Sequence, residues 1–220
     1  TENFIDFEVF NQEDLKAPAR KVAVLDFDGN LKNFLQKNKV KTLDFSSNTP
    51  QNIPVLVGTH KAENEDERKH FKRLLKFVEG GGTAVYLDRL KDSVKTESDV
   101  TPFTARVHPS KGLWTCIPHI AKDHPIFEGL QSNGFLRNTY ENIWPKRSLR
   151  DLKVNGVRLK VKPLVASVAF DLFSKGHKMG YQGPGPSWWG ADMTLVPFKK
   201  GQYLLSQFQL LENLGKDPVA

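Results

Sequence analysis

The stretch "VAVLDFDGNLKNFLQKNKV", residues 22–40, decides the fold class. Its first four residues form a short apolar run rich in valine, which is typical of a strand buried on both faces of a parallel sheet. Leu31, Phe34 and Leu35 then recur at helical spacing, and "VKTLDF" (40–45) returns to a strand pattern. This order predicts a strand–helix–strand unit.

A second unit of the same kind follows. "IPVLVGT" (53–59) predicts a strand, and "NEDERKHFKRLLKFVEGGG" (64–82) predicts a helix that Asn64 caps with Glu67 and that three glycines end. The predicted buried stripe of this helix is Phe71, Leu74, Leu75 and Val78. "TAVYL" (83–87) completes the alternation. Two such units predict an α/β fold with a doubly wound, mostly parallel, flavodoxin-like sheet.

The remainder of the chain is predicted to complete one domain. "LVASVAF" (164–170) predicts a strand, and "MTLVPF" and "QYLLSQFQL" predict a β-hairpin near the C-terminus that turns across Lys199–Lys200–Gly201. We therefore expect a linker or extension over residues 1–20, a single α/β domain over 21–220, and a variable insertion around 131–163.

Composition narrows the function classes. The 220 residues are 39% hydrophobic and 26% charged, and no apolar run is long enough to predict membrane insertion. The net charge of +7 comes from 32 scattered basic residues, a distribution that does not favour a nucleic-acid partner. A single cysteine, Cys116, excludes an internal disulfide and a cysteine-rich metal site. We predict neither a metal nor another cofactor.

The end of the first strand resembles the haloacid dehalogenase-like phosphatases. Asp26 and Asp28 are followed by a glycine, the arrangement in which that family presents a nucleophile and then an acid for the leaving group. Thr59, at the end of the next strand, stands where that family places a hydroxyl against phosphate. The resemblance implies a magnesium-dependent phosphatase that uses these three residues.

Other positions depart from the phosphatase pattern. The family needs an acidic pair for magnesium after a later strand, because the metal neutralises charge during phosphoryl transfer, and here Asp88 is followed by Arg89. Asn30 also replaces the expected threonine. We favour a plain strand-to-helix turn in which Asp28 or Asn30 caps the next helix, and we keep the phosphatase as an alternative.

Several stretches taken in order resemble the class I glutamine amidotransferase-like domain found at the C-terminal end of bacterial glycoside hydrolases of the family 2, β-galactosidase type. They are "VAVLDFDGNLKNFLQKNKV", "VLVGTHKA", "RLLKFVEGGGTAVYL", "HPIFEGL" and "KKGQYLLSQFQLLENLGKDPVA". They cover roughly 20–90, 123–130 and 195–220. The resemblance implies an amidotransferase-like fold within a carbohydrate-active enzyme.

The chemistry of true amidotransferases is missing from this pattern. Their nucleophilic cysteine and late histidine are absent, since Leu87 or Asp88 stands at the nucleophile position and Cys116 lies outside either motif. The resemblance therefore implies no catalytic residue here and an accessory domain that packs against other domains of the same polypeptide or a second subunit. Both ends look like cuts in a longer polypeptide, and the resemblance alone implies a periplasmic or secreted location.

Two places are candidates for a ligand or an interface. The first is the crevice at the strand ends, where polar side chains bind a ligand or, as we favour, pair with one another. Its members are Asp26, Asp28, Thr59, His60, Asp88 and Arg89. Among histidines only His60 attracts attention, because His119 and His124 are five residues apart and do not form a helical His-x-x-x-His pair.

The second place is the loop "GYQGPGPSWWGAD", residues 180–192. Adjacent Trp188 and Trp189 cannot both face one side of a strand, so one is expected to face outward. An outward indole stacks on a sugar ring, with Asp192 or Gln182 bonding its hydroxyls, or it contacts a neighbouring domain; both interpretations stay open. A stand-alone carbohydrate-binding module is the third functional hypothesis.

Overall fold

The computed structural model describes residues 17–58, 61–87, 100–109, 119–130, 134–136, 138–170, 187–217 and 219–220. Within these ranges the strands are β1 Val22–Leu25, β2 Thr42–Asp44, β3 Val55–Val57, β4 Thr83–Tyr86, β5 Thr104–Pro109, β6 His119–Ala121, β7 Arg147–Val154, β8 Val157–Arg158, β9 Lys162–Phe170, β10 Ser187–Phe198 and β11 Gly201–Ser206. The helices are α1 Asn30–Lys37, α2 Glu65–Glu79 and α3 Leu210–Asn213, with short 3-10 helices at Pro125–Phe127 and Asn138–Ile143. None of these described helices is long and apolar enough to span a membrane.

All eleven strands join one mixed sheet. Its main path is β2-β1-β3-β4-β11-β10-β7-β5, with β9 paired to β10 and β6, and β8 paired to β7. The pairs from β2 to β11 are parallel, and every pair beyond β11 is antiparallel. The α/β class is confirmed, but the expectation of a mostly parallel sheet is corrected to a mixed one. Parallel strands need crossover helices, and the second half of the chain connects several of its strands by short turns instead.

The two strand–helix–strand units form as the periodicity predicts. Asn64 caps α2, since its Oδ1 accepts a hydrogen bond from the Glu67 backbone N–H at 2.9 Å, and the Glu67 carboxylate accepts one from the Glu63 N–H. The buried stripe of α2 is Phe71, Leu74, Phe77 and Val78. The buried stripe thus includes Phe77, which was not predicted, and not Leu75, which was predicted but is only half-buried.

The core lies on both faces of the sheet. In β11, Tyr203 and Leu205 pack into one buried cluster with Phe71 of α2, whereas Leu204 between them packs into a second cluster with Tyr140 of the 3-10 helix 138–143. Because side chains alternate across a strand, these clusters cover opposite faces. Buried side chains therefore cover both faces of the sheet.

The predicted hairpin is present, and a second one was missed. β10 and β11 pair antiparallel on either side of a turn at Lys199–Lys200, as expected. Residues 131–163, predicted as a variable insertion, contain β7, which lies between β10 and β5 in the sheet. β7 turns into β8 through Asn155 and Gly156, whose φ angles of 48° and 78° match a type I′ turn.

Candidate functional site

The strand-end crevice lies between β1 and β3. From β1 the chain crosses through α1 to β2 on one side, and from β3 it crosses through α2 to β4 on the other, so the winding direction reverses between these strands. Such a switch point is where open α/β sheets bind ligands. Here the Asp26 carboxyl lies against Gly58, since a Cβ added to Gly58 would lie 2.8 Å from Asp26 Oδ1.

The two aspartates hold the start of α1. Asp26 Oδ2 accepts a hydrogen bond from the Lys32 backbone N–H at 3.1 Å, and Asp28 Oδ1 accepts one from the Asn30 N–H at 3.0 Å. Gly29, directly after Asp28, takes the left-handed conformation, with φ at 75°, and is the N-cap residue of α1. Negative charge at a helix N-terminus is favourable because the first N–H groups have no partner inside the helix.

The local environments drive the two pKa values apart. Burial raises the pKa of Asp26, the Lys32 backbone N–H opposes that rise, and the nearby Asp28 carboxyl adds to it. The Asn30 backbone N–H lowers the pKa of Asp28. Asp26 Oδ1 is buried without a hydrogen-bond partner in the described part of the chain. Asp26 is therefore the member of the pair that retains a proton more readily.

Asp26→Asn is expected to stabilise the protein at neutral pH, with a gain that shrinks as the pH falls towards 3.8, the ordinary aspartate value. A carboxyl whose pKa is raised by folding binds its proton more tightly in the folded state, so its ionisation destabilises the fold above 3.8. Asparagine imitates the protonated form at every pH. Urea unfolding of both proteins across this pH range measures the difference.

Asp28→Asn is the matched control, and its sign is opposite. Because folding lowers the Asp28 pKa, its stabilising contribution is present above 3.8 and is lost as the pH falls through the lowered value. This variant should be less stable than the native chain at neutral pH. Equal pH dependence in the two variants would contradict the assignment of the pair.

Four predicted members of the crevice, Thr59, His60, Asp88 and Arg89, lie outside the described residues, as does Cys116. The predictions for them stay predictions. Within the described ranges, no three His, Cys, Asp or Glu side chains come together as a group that could hold a metal ion.

A buried polar cluster lies elsewhere, on four strands. His119 of β6 contacts Asp192 of β10, with 2.8 Å between Nδ1 and Oδ2. The hydroxyls of Ser148 in β7 and Ser167 in β9 donate to the same carboxylate at 2.6 Å and 2.7 Å. The His119 ring packs on Trp144 with ring centres 5.4 Å apart. We call these four polar residues, His119, Ser148, Ser167 and Asp192, the Asp192 cluster.

A β-bulge turns Asp192 inward. Ala191 and Met193 pair with the consecutive β9 residues Ala166 and Val165, so Asp192 is the extra residue between them. A bulge redirects a side chain that regular alternation would place otherwise. The prediction that Asp192 bonds sugar hydroxyls at the surface is therefore corrected, since this side chain is completely buried.

The Asp192 cluster contains the residue types of a hydrolytic triad in a different arrangement. A triad places the serine on the histidine nitrogen remote from the acid. Here both hydroxyls bond the carboxylate, and Ser167 Oγ lies 3.1 Å from Nδ1, the nitrogen that already faces Asp192. The serines are fully buried and His119 is 5% exposed. This geometry supports a structural role, because buried polar groups need partners.

The candidate residues of the tryptophan loop, 180–192, differ in exposure: Asp192 is buried and Trp189 is exposed. Gln182 and the Trp188 side chain lie outside the description, whereas Trp189 is 51% exposed and faces outward, as predicted for one of the pair. Trp189 borders an open groove at the surface. The groove is lined by Leu149, Arg150, Asp151, Leu152, Arg158, Leu159, Val161 and Trp189.

No protein-family description matches the sequence, and no curated protein matches it. Solved structures of similar arrangement include a β-galactosidase from Rahnella sp. R3, with 10% identity, 93% of this chain covered and a TM-score of 0.44. They also include an exo-β-1,4-mannosidase from Opitutaceae bacterium strain TAV5, with 10% identity, 83% coverage and a TM-score of 0.41. A β-galactosidase from Bacillus circulans sp. alkalophilus has 11% identity, 91% coverage and a TM-score of 0.39.

The match covers 30% of the Rahnella and Bacillus enzymes and 26% of the mannosidase. The neighbours are thus glycoside hydrolases at low identity, and this chain spans less than a third of their length. Such values transfer neither an activity nor a site to this chain.

Proposed function

We propose that this chain is a noncatalytic accessory domain of a larger carbohydrate-active enzyme, and that it packs against the catalytic domain or a second subunit. The link to carbohydrate-active enzymes is supported by the ordered sequence resemblance to the amidotransferase-like domains of β-galactosidase-type hydrolases. The same resemblance supports a periplasmic or secreted location.

The observation that carries the noncatalytic role is the use of the strand-end acids. Asp26 and Asp28 bond the backbone N–H groups of Lys32 and Asn30, and the Asp26 carboxyl lies against Gly58. A ligand entering there would have to displace these contacts and expose the start of α1. The acids are therefore best explained as parts of the fold.

A measurement separates this proposal from the phosphatase alternative, in which Asp26 is the nucleophile and Asp28 is the acid for the leaving group. Release of phosphate from p-nitrophenyl phosphate with magnesium, abolished by Asp26→Asn, would establish the phosphatase instead.

Exposed apolar side chains support a role in packing. Ile120 and Phe135 face each other across an isolated β-bridge and are 40% and 49% exposed. Ile126, in the 3-10 helix that follows β6, is exposed to a similar extent at 39%. A neighbouring domain that covered such side chains would remove apolar surface from water.

Phe135→Asp is expected to lower the unfolding temperature of the larger enzyme proposed above, the uncut polypeptide, by more than it lowers that of this chain alone. A half-exposed phenylalanine contributes little to the isolated fold, but a charge there would have to be desolvated in a packed interface. Differential scanning calorimetry of both forms measures the two shifts. Val157→Asp is the matched control, because Val157 is 69% exposed beside the β7–β8 turn. Equal shifts in the uncut and isolated forms would count against packing through this surface.

A further inference from the structure

The groove beside Trp189 combines an open aromatic face with a fixed pair of opposite charges. Trp189 retains half of its surface, and Leu159 and Val161 are partly buried against the core beneath. Arg158 Nη2 donates to Asp151 Oδ1 at 2.9 Å across the β7–β8 hairpin. An indole face, an acceptor and a donor thus border one concave surface.

The backbone is strained where the acid enters the groove. Asp151 has a φ of 52°, although it lies inside β7. The register explains this: Thr104 and Arg106 of β5 pair with Lys153 and Arg150, so that Asp151 and Leu152 together oppose a single β5 residue. A bulge with a left-handed residue costs free energy and re-aims a side chain, and such costs are concentrated at functional sites.

We propose that this groove binds a neutral pyranose unit of an oligosaccharide, with one sugar face on the Trp189 indole and its hydroxyls bonded to Asp151 and Arg158. The inference rests on the proposed function and deepens it by naming a ligand class and a site. Pyranose rings carry C–H groups that pack on aromatic faces, while a carboxylate and a guanidinium provide the acceptor and donors that adjacent hydroxyls need.

Charge and desolvation together favour this ligand over two others. The lining carries Arg150 as well as the bonded pair Arg158 and Asp151, and an anion bonded to Arg158 would face the Asp151 carboxylate at close range. An apolar protein side chain would cover the ion pair and remove its water, which is costly without replacement hydrogen bonds. Sugar hydroxyls replace that water with direct bonds. A neutral saccharide is therefore the ligand that fits both halves of the groove.

The test is a titration of the 220-residue chain with cellotetraose, mannotetraose and galactotetraose, followed by calorimetry and by NMR of the tryptophan indole N–H signals. The signal absent from Trp189→Phe identifies Trp189. We expect at least one saccharide to shift it, and Trp189→Ala to weaken binding about ten-fold, which is ~1.4 kcal/mol. Asp151→Asn, which tolerates the same backbone conformation, should weaken binding while Phe135→Ala leaves it unchanged.

Three results would overturn the proposal. They are an unmoved Trp189 signal with every saccharide, binding that persists in Trp189→Ala, and tighter binding of glucuronate or inorganic phosphate than of the neutral sugars. Thermal melts of the variants establish that they are folded, and a half-exposed tryptophan can be truncated without opening the core. A negative saccharide titration does not change the calorimetric test of packing in the longer polypeptide, so either proposal can be overturned while the other stands.

Discussion

Replacing Asp192 with alanine is expected to lower the free energy of unfolding by about 3–5 kcal/mol. The substitution removes the acceptor for Ser148 Oγ and Ser167 Oγ and the partner of His119 Nδ1, at 2.6, 2.7 and 2.8 Å. Because these groups are buried, water cannot replace the lost bonds, and each must bear its desolvation cost. Chemical denaturation followed by circular dichroism measures the loss.

Asp44→Ala is the matched control for this prediction. Asp44 also makes a 2.6 Å contact, with the Lys32 ammonium, but its side chain is 75% exposed. A surface ion pair of this kind contributes only about 0–1 kcal/mol, since water and salt screen it. Comparable losses in the two variants would show that burial does not set the strength of the Asp192 cluster. Asp192→Asn, which keeps one acceptor oxygen, should fall between them.

Gly201→Ala is expected to destabilise the chain by about 3 kcal/mol, at the upper end of overpacking effects. A Cβ at residue 201 would overlap the backbone carbonyl oxygens of Gly82 and Val78. Backbone atoms cannot rotate away as a side chain can, so β11 would have to move from the α2–β4 connection. That movement would stretch the hydrogen bond from the Gln202 N–H to the Gly82 carbonyl, now 3.1 Å. Urea denaturation midpoints measure the effect.

Gly80→Ala tests whether the clash, and not the loss of a glycine as such, causes the effect. Gly80 is the C-cap of α2 with a φ of −75°, which alanine adopts without strain. A Cβ added to Gly80 would have as its nearest neighbour the Gln51 Nε2 at 3.0 Å, which is the movable end of a side chain. Both variants restrict the unfolded chain equally, so that contribution cancels. We expect a change below about 1 kcal/mol, and a loss as large as that of Gly201→Ala would contradict the explanation.

The elements of the first 90 residues follow from local signals. Apolar runs mark β1, β3 and β4, and the cap at Asn64 marks the start of α2 within one residue. These signals act between residues close in sequence, so they can be read without the fold. The hairpin of β10 and β11 was predictable for the same reason.

No hairpin was predicted in the middle of the chain, although the sequence there carries a usable signal. Asn155–Gly156 between "LKV" and "VRL" is a typical type I′ hairpin sequence and marks the β7–β8 turn. The sequence interpretation treated this region as an insertion. The charged residues on both sides conceal the alternation that identifies a half-buried strand.

The candidate sites also include some contacts that local sequence predicts and others that it does not. Asp28 or Asn30 was predicted to cap the next helix, but the N-cap residue is Gly29. Asp28, one position earlier, bonds the Asn30 N–H two residues ahead, as short polar side chains do. The partnership of His119 with Asp192 spans 73 residues and was missed, as was the position of Asp151 beside Trp189. Local spacing does not indicate which strands far apart in the sequence become neighbours.

The sequence by itself determined the α/β class, the parallel half of the sheet and the outward position of one tryptophan, because apolar periodicity and turn chemistry act over a few residues. Tertiary structure alone decided which way Asp151 and Asp192 point. Each lies at a β-bulge, where one strand has one residue more than its partner between two paired positions. Such a bulge exists only once distant strands have paired. That pairing sends one carboxylate into the core and the other to an open groove.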